Sequence, residues 1–137
     1  MSLSLIKDLN VEHAELLRHL GEIAELGTLD AGVRQLLVSL KKRLRAHVEH
    51  EERDFYPAML KAAEANEQLE ANLQMMSDEM ETIAASTLKF LDTYIEGGVP
   101  VEFPGALASV TAMVTERIKR EEHFLYSKYI KLIEGGV

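Results

Sequence analysis

The chain contains no cysteine, which excludes disulfides, thiolate metal sites and cysteine nucleophiles. Basic residues are outnumbered, 15 lysines and arginines against 23 aspartates and glutamates, for a formal charge of −8. That balance argues against a nucleic-acid partner and against docking on an anionic membrane. It suits solubility and attraction of cations. No apolar run is long enough to span a bilayer. The first residues, Met1-Ser2-Leu3-Ser4-Leu5-Ile6-Lys7, lack the basic region, apolar core and cleavage site of a signal peptide, so the expected location is cytoplasmic. There is no glycine-rich phosphate loop, no nucleotide motif and no nucleophile–base arrangement. Nothing here marks an enzyme, and any catalysis would be metal-based.

Proline and glycine are also sparse, at three and eight residues, so few points break the chain. The breaks fall at Gly27-Thr28-Leu29-Asp30, at Asn66, at Gly97-Gly98-Val99-Pro100 with Pro104-Gly105, and at the terminal Gly135-Gly136. Between them stand helix formers without strand alternation. Four helices are predicted, over 4–26, 30–64, 67–96 and 104–134, with a kink at Pro57. Each carries a heptad-like stripe. In the first the stripe is Leu9, His13, Leu16, Leu20, Ile23; in the second Leu37, Leu40, Leu44, His47, Glu51, Phe55, Ala58. The third reads Leu69, Leu73, Met76, Met80, Ile83, Thr87, Phe90, Tyr94, and the fourth Leu107, Val110, Val114, Arg117, Glu121, Leu125. Four such stripes with short connections predict an all-α protein. Its expected form is an antiparallel up-down four-helix bundle, one domain over 1–137.

The polar stripe residues fall near the middles of their helices, and in an up-down bundle those middles share one depth. His13, His47, Glu51, Arg117 and Glu121 are therefore expected in one interior layer, faced by Met76 and Met80. His47 and Glu51 are four apart, on one helical face. Residues 47–60 align with 117–130 at an offset of 70. His47 matches Arg117, Glu51-Glu52 matches Glu121-Glu122, and Phe55-Tyr56-Pro57 matches Leu125-Tyr126-Ser127. Two pseudo-symmetric half-sites follow. Carboxylates buried together hold protons unless a cation lies between them. Neutral imidazoles with bridging carboxylates suit iron, zinc or manganese.

A histidine in the first helix, the string His47 to Pro57 (H-x-x-x-E-E-x-x-F-Y-P) in the second, and Glu121-Glu122 followed by Leu125-Tyr126 in the fourth resemble the hemerythrin-like, HHE cation-binding domain. The resemblance covers nearly the whole chain. It implies a bundle holding two irons. One is carried by His13 and His47, with Glu51 and Glu121 as bridging carboxylates. The resemblance would give the second iron an H-x-x-x-H pair in the third helix and a histidine in the fourth. Those positions here are Met76, Met80 and Arg117, so three histidines of one half-site are missing. Arg117 puts a fixed charge where the second iron's charge would be, and could pair with Glu51 and Glu121.

Plainer readings stand beside these. His13 could be a core histidine, and His47–Glu51 a helix-face hydrogen bond. Glu121 is either a ligand or the ion partner of Arg117; Arg117 could instead extend outward between helices. Met76 and Met80 could be core only. His19, His50 and His123 are read as surface or near-surface residues, and Glu12, Glu15, Glu49, Glu52 and Glu122 as a solvated face. The expected function is metal binding with a degenerate site, one non-haem metal ion, iron or zinc, at His13, His47, Glu51 and Glu121. The alternative is a metal-free structural or interaction bundle in which Arg117 replaces the metal charge. A diiron oxygen or nitric oxide sensor, or an iron–sulfur repair protein, ranks below both because it needs both half-sites and three of the histidines are absent. The residues do not identify a protein partner, and a homodimer stays open.

Overall fold

The computed structural model describes residues 2–134; the break at Gly135-Gly136 lies outside them. The elements are α1 (Leu3–Leu26), α2 (Ala31–His50), α3 (Tyr56–Ala62), α4 (Glu67–Glu96), α5 (Phe103–Arg120) and α6 (Ser127–Glu134). A π turn, Glu51–Phe55, runs α2 into α3, and a second, Glu121–Tyr126, runs α5 into α6. The six segments thus make four rods, at the four predicted positions. Among the described residues there is no strand.

Local chemistry sets the ends. The Asp30 side chain accepts from the Val33 amide at 2.8 Å and Asn66 from that of Leu69 at 3.1 Å, each satisfying an amide that the first turn leaves free. Gly27 closes α1 in the left-handed region at φ 69°, where a side chain is disfavoured. The rods form a square, α1 packing on α2 and α5, and α4 on the same two.

The core is two apolar clusters with a polar layer between them. Leu16, Leu20, Leu37, Leu40, Phe103 and Val114 belong to one. Leu9, Phe55, Met59, Leu73 and Tyr129 belong to the other. His13, His47, Glu51, Arg117 and Glu121 lie between and are all buried. The five residues expected at one depth are therefore there.

The π turns change the expected stripes. Past Glu51 the buried residues are Phe55, Tyr56, Met59 and Ala63, with Ala58 only half-buried. A π turn carries one residue more than an α turn, so the inward face advances by one position and Tyr56 rotates into the core. Past Glu121 the buried set is Leu125, Tyr126 and Tyr129, the same shift. Pro57 is not the common cause, because the second turn occurs with Ser127 at the equivalent place.

Candidate metal centre

His13 comes from α1, His47 from the last turn of α2, and Glu51 and Glu121 from the openings of the two π turns. One ligand atom from each lies within 4.8 Å of the other three. His47 Nε2 stands 2.5 Å from Glu51 Oε1, and His13 Nε2 stands 3.4 Å from Glu121 Oε1. The imidazole rings are 4.6 Å apart, tilted by 59°. His47 Nε2 and Glu51 Oε1 are buried without hydrogen-bond partners, despite their proximity. Two buried polar atoms that converge without bonding are costly, and a cation bound by both removes that cost.

The outward nitrogens are held too. His47 Nδ1 is 2.8 Å from Glu12 Oε1, and His13 Nδ1 is 2.8 Å from Glu122 Oε2. An Nδ1–H donating outward turns the Nε2 lone pair inward and raises its basicity. The other oxygen of Glu12 takes His50 Nδ1 at 2.7 Å. The reading of Glu12 and Glu122 as plain solvated face is thus corrected: each is about one-third exposed, yet each anchors a buried imidazole. His19 and His50 are half-buried and His123 is exposed, as expected.

Two tyrosines cross the pseudo-twofold. Tyr126 Oη donates to Glu51 Oε2 at 3.3 Å and sits 3.3 Å from His13 Nε2. Tyr56 Oη donates to Glu121 Oε2 at 3.5 Å. Each tyrosine thus serves the carboxylate of the opposite half. Their signs in the sequence are the recurrence at the 70-residue offset and their place in the strings that carry the family resemblance. Their phase is hidden by the π turns.

Arg117 lies at the expected depth, but its partners are other than the two glutamates. Its Nη2 donates to the Met76 carbonyl at 2.7 Å and to Tyr56 Oη at 3.0 Å. Nη1 is 3.6 Å from Glu79 Oε2, a carboxylate that Arg120 holds at 2.7 Å. Among the described residues it makes no ion pair with Glu51 or Glu121. The guanidinium lies over toward α4, with Tyr56 between it and Glu121, because the Met76 carbonyl and Glu79 are within its reach there. Met76 packs its side chain in the second apolar cluster, while Met80 lines a cavity of about 30 Å³. That cavity touches His13, His47, Thr87, Arg117 and Glu121, and is otherwise walled by apolar residues such as Leu16, Leu44 and Val114.

Electrostatics in the metal-free chain follow from this crowding. Burial works against charge on His47, but its hydrogen bond to Glu12, the close approach of the Glu51 carboxylate and the charge of Glu121 win, pushing it up to about 10. Burial raises Glu51 first, and the adjacent Glu121 raises it further. Glu121 moves down: burial opposes this, but hydrogen bonds with His13 and Glu51 and the charges of His13 and Arg117 outweigh it. One carboxyl of the pair therefore keeps a proton that the other gives up.

The family model described as the hemerythrin HHE cation binding domain matches residues 4–129, and the chain belongs to that family. No curated protein and no solved structure matches it. The fold and site together are those of a helical bundle with a buried histidine–glutamate group that could hold a metal. No helix is long and apolar enough to cross a membrane among the described residues.

Proposed function

We propose that the protein binds one non-haem metal ion through His13, His47, Glu51 and Glu121. The observation that carries the reading is the convergence of four buried ligand atoms within 4.8 Å, with an outer carboxylate on each imidazole. Two imidazoles and two carboxylates suit Fe(II) and Zn(II). The cavity beside the ligands favours iron, because tetrahedral zinc uses four donors while octahedral iron keeps positions for a further ligand. When bound, the metal would supply Lewis acidity, and iron a one-electron couple as well. The chain's own residues hold the imidazoles in one tautomer.

In this reading the other half-site is lost, with Met76, Met80 and Arg117 where the family resemblance implies three histidines, so the stoichiometry is one. The metal-free alternative needs the Arg117 guanidinium to compensate Glu51 and Glu121 directly, and its position against Met76 and Glu79 does not favour that. Metal analysis of protein purified without added metal, followed by titration with Fe(II) and Zn(II), should give one equivalent bound. Less than a tenth of an equivalent with no uptake of either ion would defeat the proposal, and two equivalents would defeat the one-metal form.

A further inference from the structure

Tyr126 stands as close to the candidate centre as the four residues that form it. It is buried, at 1 % exposure. Its ring is fixed between His13, on which it stacks at 5.4 Å and 9°, and Phe55, which it meets edge-on at 5.1 Å. Its oxygen lies 3.3 Å from His13 Nε2 and 3.3 Å from Glu51 Oε2. Glu121 Oε1 is 3.4 Å from the same His13 nitrogen. Two donors held at right angles, each about 2.1 Å from one octahedral ion, stand roughly 3 Å apart. Tyr126 Oη thus has the spacing of a further ligand, and Glu121 is no better placed against His13.

The hydrogens point the same way. His13 Nδ1 faces Glu122 at 2.8 Å, so in the neutral ring the hydrogen sits there and Nε2 presents a lone pair. Tyr126 has one hydrogen and gives it to Glu51. Its oxygen then meets His13 Nε2 lone pair to lone pair, and Glu121 Oε1 meets the same nitrogen in the same way. Buried acceptors that converge without a hydrogen between them are costly. One cation among them removes the conflict. Tyr56, the counterpart at the 70-residue offset, is placed differently. Its oxygen accepts from Arg117 Nη2 at 3.0 Å and is 3.5 Å from Glu121 Oε2. The Arg117 guanidinium already occupies it, on the side where the half-site is lost. Of the two tyrosines only Tyr126 is free to ligate.

Resting on the one-metal reading, we propose that Tyr126 is a fifth ligand and that it makes the centre selective for ferric iron. A phenolate oxygen is a hard, anionic donor, suited to a hard ion. Glu51, Glu121 and a Tyr126 phenolate together carry three negative charges, which Fe(III) balances. A divalent ion is balanced by the two carboxylates alone, and Zn(II) needs no fifth donor. Ligation replaces the phenol O–H bond by an oxygen–metal bond, and the proton leaves to solvent.

The test loads the protein with Fe(III) supplied as its citrate complex. A phenolate on ferric iron gives a visible charge-transfer band, and excitation into that band enhances tyrosine ring modes in the Raman spectrum. Wild-type protein should take up one equivalent and show both signatures. Tyr126→Phe should lose both. It should weaken Fe(III) by at least about tenfold and Zn(II) by less than about threefold, read by competition with a chelator. Tyr56→Phe should keep both signatures. Ferric protein without tyrosine modes would overturn the proposal while leaving the metal site standing, as would signatures that survive Tyr126→Phe. Equal weakening of Fe(III) and Zn(II) in Tyr126→Phe would reduce the tyrosine to packing, and uptake of Fe(II) or Zn(II) with none of Fe(III) would end the proposal too. No uptake of any of the three ions would remove both readings. A crystal structure of the ferric wild-type protein needs no variant. Tyr126 Oη at about 2 Å from the iron supports the proposal, and Oη at hydrogen-bond distance from Glu51 with no bond to iron ends it.

Discussion

Glu12 shows how much one partly exposed side chain can contribute. It accepts from His47 Nδ1 with one oxygen and from His50 Nδ1 with the other, and its own carboxyl is held down by those two bonds against the opposing effect of burial. Loss of such a carboxylate behind a ligating imidazole typically costs 10- to 100-fold in metal affinity. Glu12→Ala should therefore raise the metal Kd by about that factor, measured by competition with a chromogenic chelator. It should leave the helical circular dichroism unchanged. A change below about threefold would mean that His47 is oriented by its packing alone. Neither Glu12 nor Glu122 stands out in the sequence, since both sit among other acidic residues on helix faces. What distinguishes them is a reach across to another rod, or to a neighbouring imidazole, that no local pattern encodes.

At the scale of the element, the π turns and the helix ends carry the detail. Both π turns begin at the glutamates of the candidate centre, and both swing a tyrosine inward. A stripe read at constant helical period misses this by one residue, and so Ala58 is expected where Met59 is found. The end of α4 offers a test of how closely the elements are fitted. Gly98 has φ +76°, and a Cβ there would come within 2.6 Å of the Tyr94 ring. Gly105 lies inside α5 with open space around it. Gly98→Ala should thus cost more than about 1 kcal/mol, because both conformation and contact are wrong. Gly105→Ala should stabilise by roughly 0.5–1 kcal/mol through helix propensity. Urea unfolding followed by circular dichroism compares the two, and equal effects would contradict the close packing of Gly98 on Tyr94.

For the whole molecule, the candidate centre links stability to pH. In the metal-free protein His47 is raised to about 10, above its unfolded value near 6.5. The stability it contributes is fully present below pH 6.5 and is lost as pH rises toward 10. Glu51 is raised as well, so its contribution likewise falls with rising pH above the unfolded carboxylate value. Glu12 and Glu121 are lowered and act in the other direction, losing their contribution as pH drops below that value. Metal-free protein should then be most stable between about pH 4.5 and 6.5. A bound metal displaces the protons of His47 and Glu51, so its stabilisation grows with pH. Melting curves from pH 5.5 to 8.5, with chelator and with one equivalent of Zn(II), should show a rising difference in Tm. A difference that does not change with pH would mean that the metal displaces no proton, and therefore binds elsewhere.

Four rods, their ends and the shared depth of the polar layer were legible from the sequence, because stripe period, capping residues and scarce glycine and proline are local properties. The gathering of His13, His47, Glu51 and Glu121 was legible for the same reason: in an up-down bundle, equal distance from the helix ends means equal depth. The tertiary structure decided the rest. It sets which carboxylates reach the outer imidazole nitrogens, how the π turns place Tyr56 and Tyr126 across from the opposite glutamates, and where Arg117 goes. Arg117 has a long side chain and several acceptors within reach. Its choice of the Met76 carbonyl and Tyr56 over Glu51 and Glu121 depends on the distances between rods, which no spacing along one helix contains.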